Sequence, residues 1–237
     1  MIKTRPQRPE VMAEEFAIVL IGDFNPKIYQ PSWFANQRLV RQSEADAAEV
    51  ELIHSDFTSF STECFVLQVA RERFSMTVRS SAFKQQLHDL VVGTFNLLLH
   101  TPLTQMGINA TTRLQFRNDT DWHAFGHFLV PKSQWAPILH RPGTRAVTVE
   151  GVRDDKWPGH VAVIAEPLRG AINEALIRVN DHYDESGEKK KGQDSSYFLE
   201  VLSQCYDASL SRARVIVDGL VEKYLQQGVF DDGTADD

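Results

Sequence analysis

The amino-acid sequence predicts an α+β fold, with long helices packed on one face of an antiparallel sheet. Several short segments alternate apolar and polar residues, as strands with one buried face do. Two longer segments, residues 81–100 and 195–225, instead repeat apolar residues at helical spacing. The order of elements also occurs twice along the chain, which predicts a pseudo-duplicated β-α-β-β-β-α unit.

Predicted boundaries follow from composition. Residues 1–13 are expected to form a flexible arm and residues 230–237 an acidic tail. The first half spans residues 14–102, and the second half, with its long C-terminal helix, spans residues 103–229. Both halves are expected to share one sheet and thus to form a single domain. The polar stretch 184–196 predicts a long exposed loop.

The first half opens with FAIVLIG at residues 16–22, a continuous β-branched run that predicts a buried strand. A proline at the first position of PSWFANQRLV favours a short helix from Pro31. The rest is predicted as three strands, the last two joined as a hairpin, and a long helix: residues 48–57, 63–70, 73–80 and 81–100.

The second half repeats this order. Residues 107–116 alternate strictly and predict a strand, and TDWHAFGHFLV predicts a short helix capped by Thr120 or Asp121. The remaining predicted elements are three strands and a final helix: residues 144–152, 160–168, 174–183 and 195–225. The joints also match loosely, since Phe24-Asn25 before Trp33 resembles Phe116 to Asn118 before Trp122.

Strand alternation places polar side chains on the sheet face opposite the helices. These residues are Ser75, Thr77, Arg79, Asn109, Thr111, Arg113, Gln115, Arg178, Asn180 and His182. Such a face can hold a ligand or a partner, and it can equally be an ordinary solvated surface.

Composition excludes several function classes. A net charge of −7 argues against a protein that binds nucleic acid mainly through phosphates. No apolar run approaches the roughly 18 residues of a membrane span, and two cysteines cannot form a disulfide framework. We therefore expect a cytoplasmic protein that does not bind membranes, and nucleic-acid binding ranks third, behind the two hypotheses given below.

Catalytic signatures are missing from the sequence. It contains no GxSxG elbow, no phosphate-binding GxxxxGK[ST] loop and no GxGxxG. His123 and His127 stand four residues apart, as in a two-histidine metal pair, but Ala124 occupies the position where a zincin has glutamate. Partly buried structural histidines are the alternative. No cofactor and no metal are expected, and an enzyme is not favoured.

Aromatic residues beside prolines form a further candidate site. Tyr29, Trp33 and Phe34 are flanked by Pro26 and Pro31. Stiffened loops with aromatic tips suit recognition, since little entropy is lost on binding. The alternative is that the rings plug the end of the core.

The order of elements resembles the duplicated saddle of the TATA-binding-protein-like folds and the helix-grip ligand binders. Three segments, LQVARERFSMTVRS, MGINATTRLQF and ALIRVNDHYD, are similar in order to those of an uncharacterised, sporadically distributed bacterial family. This resemblance implies a patchy bacterial distribution, as in defence or mobile-element genes, and no particular chemistry.

Two functional hypotheses follow. The first is a non-enzymatic protein–protein interaction module of a bacterial cytoplasmic complex, with a protein partner or a second copy of itself. The second is a small-molecule binding protein or enzyme with a pocket between sheet and long helix. In that case Arg79, Arg113, Arg178 and His182 would hold an anionic ligand.

Overall fold

The computed structural model describes residues 6–185 and 194–230, with side chains up to residue 227. The strands are β1 (Glu10–Gly22), β2 (Glu49–Ile53), β3 (Phe57–Ser61), β4 (Val66–Ala70), β5 (Arg73–Val78), β6 (Leu103–Gln115), β7 (Val147–Val152), β8 (Gly159–Pro167) and β9 (Glu174–Asp184). The helices are α1 (Pro31–Asn36), α2 (Gln42–Asp46), α3 (Lys84–Leu97), α4 (Asp119–Leu129) and α5 (Ser196–Phe230).

All nine of these strands form one antiparallel sheet in the order β2-β3-β4-β5-β1-β6-β9-β8-β7. The first strands of the two halves, β1 and β6, pair at the centre over almost their whole length. In each half the last strand, β5 or β9, lies next to this central pair, and the earlier strands lie progressively further out. The two halves are thus related by approximate two-fold symmetry in topology, as the repeated order of elements predicts.

The long helices cover one face of the sheet, so the predicted α+β fold class is confirmed. Helix α3 contacts β1 and β5, whereas α5 contacts β6 and β9, and the two helices contact each other. Alternate strand residues such as Ile18, Met76, Ile108 and Ile177 are almost fully buried beneath the helices. This burial is the principal favourable term for a sheet with one covered face.

One strand of the first half was predicted wrongly. Residues 48–57 do not form one strand, because a tight turn at residues 54–56 separates β2 from β3. The amide of His54 donates to the carbonyl of Phe57 at 2.9 Å and closes this turn. The first half therefore has four strands after its short helices, whereas the second half has the predicted three.

The ends also differ from the prediction. Residues 10–13 belong to β1, where Glu10 pairs with Gln115, so the predicted arm is shorter than residues 1–13. Asp184 still belongs to β9, and Ser196 already begins α5, at the two ends of the predicted loop. Residues 186–193 lie outside the described residues, as do residues 231–237 of the predicted tail, whereas Phe230 still belongs to α5.

The two joints share their local structure. Phe24 and Phe116 are both buried, at 4% and 1% exposure. The asparagine that follows each of them caps a helical turn. The side chain of Asn25 accepts from the amide of Lys27 at 3.3 Å, and that of Asn118 from the amide of Asp121 at 2.8 Å. The loose sequence match at the joints therefore reflects a common capping function.

A buried ionic network attaches α5 to the second half of the sheet. Asp181, on the helix-facing side of β9, forms ion pairs with Arg153 and Arg212. Asp155 pairs with the same two arginines. The Arg153 guanidinium also lies 3.9 Å from the centre of the Tyr183 ring. Because Arg153 and Asp181 are buried, these partners must stay together in the folded state.

Within the described residues, no helix combines the length and the apolar character that crossing a bilayer requires.

Candidate functional site

The sheet face opposite the helices, which we call the open face, carries the candidate functional residues. On β9 the open face presents Arg178, Asn180, His182 and Asp184, since the residues between them are buried against the helices. Antiparallel pairing brings His160 of β8 directly opposite His182. Two histidines and a carboxylate thus meet at one end of the β8–β9 hairpin.

The three side chains form a compact cluster. The His160 and His182 rings stack with centroids 4.6 Å apart and an interplanar angle of 30°. Nε2 of His182 lies 3.2 Å from Oδ1 of Asp184. One donor atom from each of the three residues lies within 4.8 Å of the others. We call this cluster the His-His-Asp site.

A neighbouring strand supports the cluster from its side. The Gln105 amide Nε2 donates to Oδ1 of Asp184 at 3.4 Å. Gly107 pairs with His182 across β6 and β9, and a Cβ atom there would lie 2.7 Å from Oδ1 of Asn180. That oxygen is buried and has no hydrogen-bond partner among the described atoms. The Asn180 amide therefore occupies the space beside Gly107, and a larger residue at position 107 would have to displace it.

Two of the three arginines predicted to hold an anion, Arg113 and Arg178, are engaged by carboxylates. Arg113 forms a bidentate ion pair with Glu174, with Nη2 to Oε1 at 2.8 Å. The Arg113 hydrogen bond and charge hold the pKa of Glu174 below its usual value, against the effect of burial. Arg178 pairs with Glu166. Both guanidinium groups are thus already neutralised within the sheet.

The predicted anion-binding residues also do not converge. Arg178 and His182 lie four residues apart on β9, which corresponds to about 13 Å. Arg79 follows β5, which is three strands from β9, or roughly 14 Å. Arg79 instead lines a cavity with residues of the β3–β4 hairpin such as Ser61 and Phe65. Of the four, only His182 belongs to the His-His-Asp site.

The proline-flanked aromatic residues lie in the core. Tyr29 and Phe34 are 1% and 0% exposed, and Trp33 is half-buried against Phe34 at a centroid distance of 5.1 Å. Tyr29 also contacts the Phe74 ring at 5.5 Å. Their placement matches the alternative interpretation, in which the rings plug one end of the core.

His123 and His127 are exposed on α4, and the described residues contain no third nitrogen, sulfur or carboxylate ligand grouped with them. They border a cavity of about 330 Å³ between α4, residues 141–144 and the β8–β9 hairpin. Its wall includes Trp122, Phe125, Leu129, Ala165 and Ala175. The Lys132 ammonium at this cavity donates to the carbonyl of Val130 at 2.7 Å, and burial lowers the pKa of Lys132.

Exposed apolar side chains concentrate after α4. Trp135, Ile138 and Leu139 are 45%, 75% and 51% exposed. Val149 and Val152 of the following strand, β7, are 60% and 93% exposed. Trp135 and Leu139 also line a cavity of about 210 Å³ that reaches residues 142–146, just before β7. We call residues 135–152 the apolar end of the sheet.

Sequence reasoning identified His182 but missed its partners, His160 and Asp184. A signal for His160 was available, since it opens the predicted strand of residues 160–168, directly before the apolar run VAVIA. The pairing itself depends on the turn between β8 and β9, where Asn173 and Gly170 adopt positive φ angles of 58° and 80°. That turn fixes which residues face each other, and alternation alone cannot supply the register.

Comparison of the chain with protein-family models, with curated proteins and with solved structures found no match.

Proposed function

We propose that the protein is a non-enzymatic protein–protein interaction module, a subunit of a bacterial cytoplasmic complex in the setting of defence or mobile-element genes. The observation that carries this proposal is the apolar end of the sheet, where five large apolar side chains of residues 135–152 are at least 45% exposed. Several large apolar side chains exposed within one short segment are typical of docking sites and costly to leave in water.

The edge of β7 offers backbone groups to a partner. β7 pairs only with β8 among the described strands, so its outer edge presents unpaired amides and carbonyls. Its six residues, VTVEGV, include one charged side chain and no proline. The opposite edge strand, β2, carries two glutamates in five residues and a register shift between Val50 and Leu52. Charges and bulges protect sheet edges from pairing, so β7 is the less protected edge.

The occupant that fits this surface is an extended, apolar segment of a partner protein. Such a segment would add a strand beside β7 and place alternate side chains on the apolar residues there. The cavity between Trp135 and Leu139 offers a place for one large side chain. Aromatic and aliphatic anchors in cavities of this kind carry most of the binding energy in protein interfaces.

The experiment is co-expression with the neighbouring genes, followed by size exclusion with light scattering. We expect a stable complex with the wild-type chain. Ile138→Asp and Val149→Lys should each weaken it at least about tenfold, because they place charges in the buried interface. Val215→Asp is the matched control, since Val215 is 70% exposed on α5 and lies outside residues 135–152.

Photo-crosslinking sharpens this test. A photoreactive residue at position 138 should form a covalent product with the partner, whereas one at position 215 should not. A strictly monomeric chain without a co-purifying partner contradicts the proposal. So does a complex that Val215→Asp disrupts as strongly as Ile138→Asp.

The cavity beside α4 supports a second candidate, binding of a small anionic ligand with an apolar body. Apolar side chains form its wall, and Lys132, Arg141, His123 and His127 stand around it. The carboxylate at this cavity, Glu166, is paired with Arg178. In this candidate the ligand would lie in a different place from that of the sequence hypothesis, which used Arg79, Arg113, Arg178 and His182.

A thermal-shift screen with organic acids and nucleotides tests this candidate. A ligand of the cavity should raise the melting temperature of the wild type and of Arg113→Ala, but not that of Arg141→Gln. Failure of every organic acid and nucleotide to stabilise the wild type would remove the candidate.

A further inference from the structure

We propose that His160, His182 and Asp184 form a binding site for one divalent transition-metal ion of the zinc class. The site lies on the open face at the end of the β8–β9 hairpin, where His160 pairs with Val152 of the apolar end of the sheet. It would bind a cofactor that neither the charge pattern nor the motifs of the sequence indicate.

The backbone fixes the geometry of the three ligands. His182 and Asp184 are two residues apart on one strand, so their side chains leave the sheet on the same face. His160 is the cross-strand partner of His182, and such partners have Cβ atoms about 5 Å apart. The donor atoms are consequently held within 4.8 Å of one another without any loop having to move.

The donor set selects the class of ion. Imidazole nitrogens suit Zn²⁺, Fe²⁺, Co²⁺ and Ni²⁺, whereas Mg²⁺ and Ca²⁺ prefer oxygen ligands throughout. Two histidines and one carboxylate are also the ligands of catalytic zinc sites and of the non-haem iron triad. Such sets leave at least one coordination position to water or another ligand. The side chain of Asp184 is 44% exposed, so solvent reaches this part of the cluster.

Surrounding groups match the support that metal ligands usually have. Gln105 donates to the Asp184 carboxylate and restrains its orientation. The unpaired Oδ1 of Asn180 lies two residues from His182 on the same face, and a metal-bound water is a donor that could satisfy it. Hydrogen bonds of this kind orient the first ligands and strengthen metal binding.

Other histidines that lie near a carboxylate or near another histidine lack this arrangement. His54 lies 3.4 Å from Asp56, and His88 lies 2.9 Å from Asp89. Neither histidine is grouped with a second imidazole among the described residues. In each pair at least one of the two side chains is exposed. His123 and His127 offer two imidazoles but no carboxylate in the same group. These sites serve as internal controls.

The experiment is calorimetric titration of the chelator-treated full chain with Zn²⁺, with Co²⁺ as a spectroscopic probe. We expect one ion per chain and visible absorption from bound Co²⁺. His160→Asn, His182→Asn and Asp184→Asn should each weaken binding by at least about 100-fold, beyond the 10–100-fold loss typical of a supporting residue. Gln105→Ala should fall within that smaller range.

The matched control is the double variant His123→Asn/His127→Asn, which should bind Zn²⁺ as the wild type does. Thermal unfolding of each variant without metal identifies any variant that fails to fold. If a histidine variant fails to fold, Asp184→Asn still tests the proposal, because the Asp184 side chain is 44% exposed. No binding by the wild type overturns the proposal. Binding that survives all three ligand variants, or that the control variant abolishes, also overturns it.

Discussion

The two halves of the sheet share a topology but differ in what their side chains do. In the first half the open face of β5 carries Arg73, Ser75 and Thr77, and rings fill the core on the opposite face. In the second half the corresponding positions of β8 and β9 carry two histidines, an aspartate and Arg178, which is paired with Glu166. The two halves therefore share a strand topology, and the His-His-Asp site lies in the second half.

The difference extends to the interior. The first half holds a cluster in which Phe24, Tyr29, Phe74 and Phe95 all contact one another at ring distances of 5.1–6.5 Å. The second half also has rings, yet it adds the buried ions around Asp181. Aromatic rings can pack in edge-to-face or offset arrangements, whereas a buried ion pair needs close geometry and hydrogen bonds to its remaining polar atoms. The ionic network thus fixes α5 and β9 beneath the candidate site.

The largest expected effect is in the aromatic cluster. Phe74 is fully buried and lies 5.1 Å from the Phe95 ring. Phe74→Ala should lower the free energy of unfolding by about 3–5 kcal/mol, through lost burial and a residual cavity. Urea unfolding measures this change, and Phe74→Leu should cost clearly less. A loss under about 1 kcal/mol would mean that the first half is not held by its rings.

The ionic network gives the next effect. Asp181→Ala leaves the buried Arg153 with only Asp155 as a carboxylate partner, and should cost about 3 kcal/mol. The matched control is Asp184→Ala on the other face of the same strand, whose side chain is 44% exposed. Without metal this control should change stability by at most about 0.5 kcal/mol. Equal effects of the two variants in urea unfolding would refute the structural importance of the network.

Acid should weaken the second half through Asp155. Burial opposes the ionisation of Asp155, but the hydrogen bond and charge of Arg153 outweigh it, so its pKa lies below the usual value. Because the pKa is lower in the folded state, the stabilisation is present above the unfolded value, about 4, and is lost as pH falls through the folded value. The stability difference between wild type and Asp155→Asn should therefore shrink below about pH 4. Parallel curves of unfolding free energy against pH would contradict this.

The smallest expected effect compares the two joints directly. Asn118→Ala removes the cap of an 11-residue helix and should cost about 1 kcal/mol. Asn25→Ala removes the cap of a three-residue turn, with a longer hydrogen bond, and should cost less. Thermal unfolding of both variants, at matched protein concentration, checks the order. A larger loss for Asn25→Ala would break the proposed correspondence between the joints.

Alternation and helical spacing predicted most of the architecture because both reflect which side of an element is buried. The alternation of residues 107–116 correctly placed Ile108 and Leu114 in the core. The split between β2 and β3 was missed because residues 48–57 alternate through the turn. The periodicity therefore does not indicate that the chain reverses direction there. The turn is closed by a hydrogen bond between the backbone amide of His54 and the backbone carbonyl of Phe57, and the pattern of side chains does not predict this bond.

The candidate site was only partly accessible to sequence reasoning. His182 could be assigned to the open face from its own strand, but its neighbour His160 depends on the pairing register of β8 and β9. The pairing of Arg113 with Glu174 spans 61 residues and likewise depends on tertiary structure. Such cross-strand contacts decide whether an arginine is available to a ligand, and local patterns do not contain them.

The claim that binding chemistry resides in the second half is tested most directly by histidine-selective NMR during Zn²⁺ titration. The chain has eight histidines, of which His54, His88 and His100 lie in the first half. We predict that Zn²⁺ shifts the side-chain resonances of His160 and His182 at one equivalent and leaves those three unchanged. Shifts at His54 or His88 with none at His160 and His182 would contradict the account.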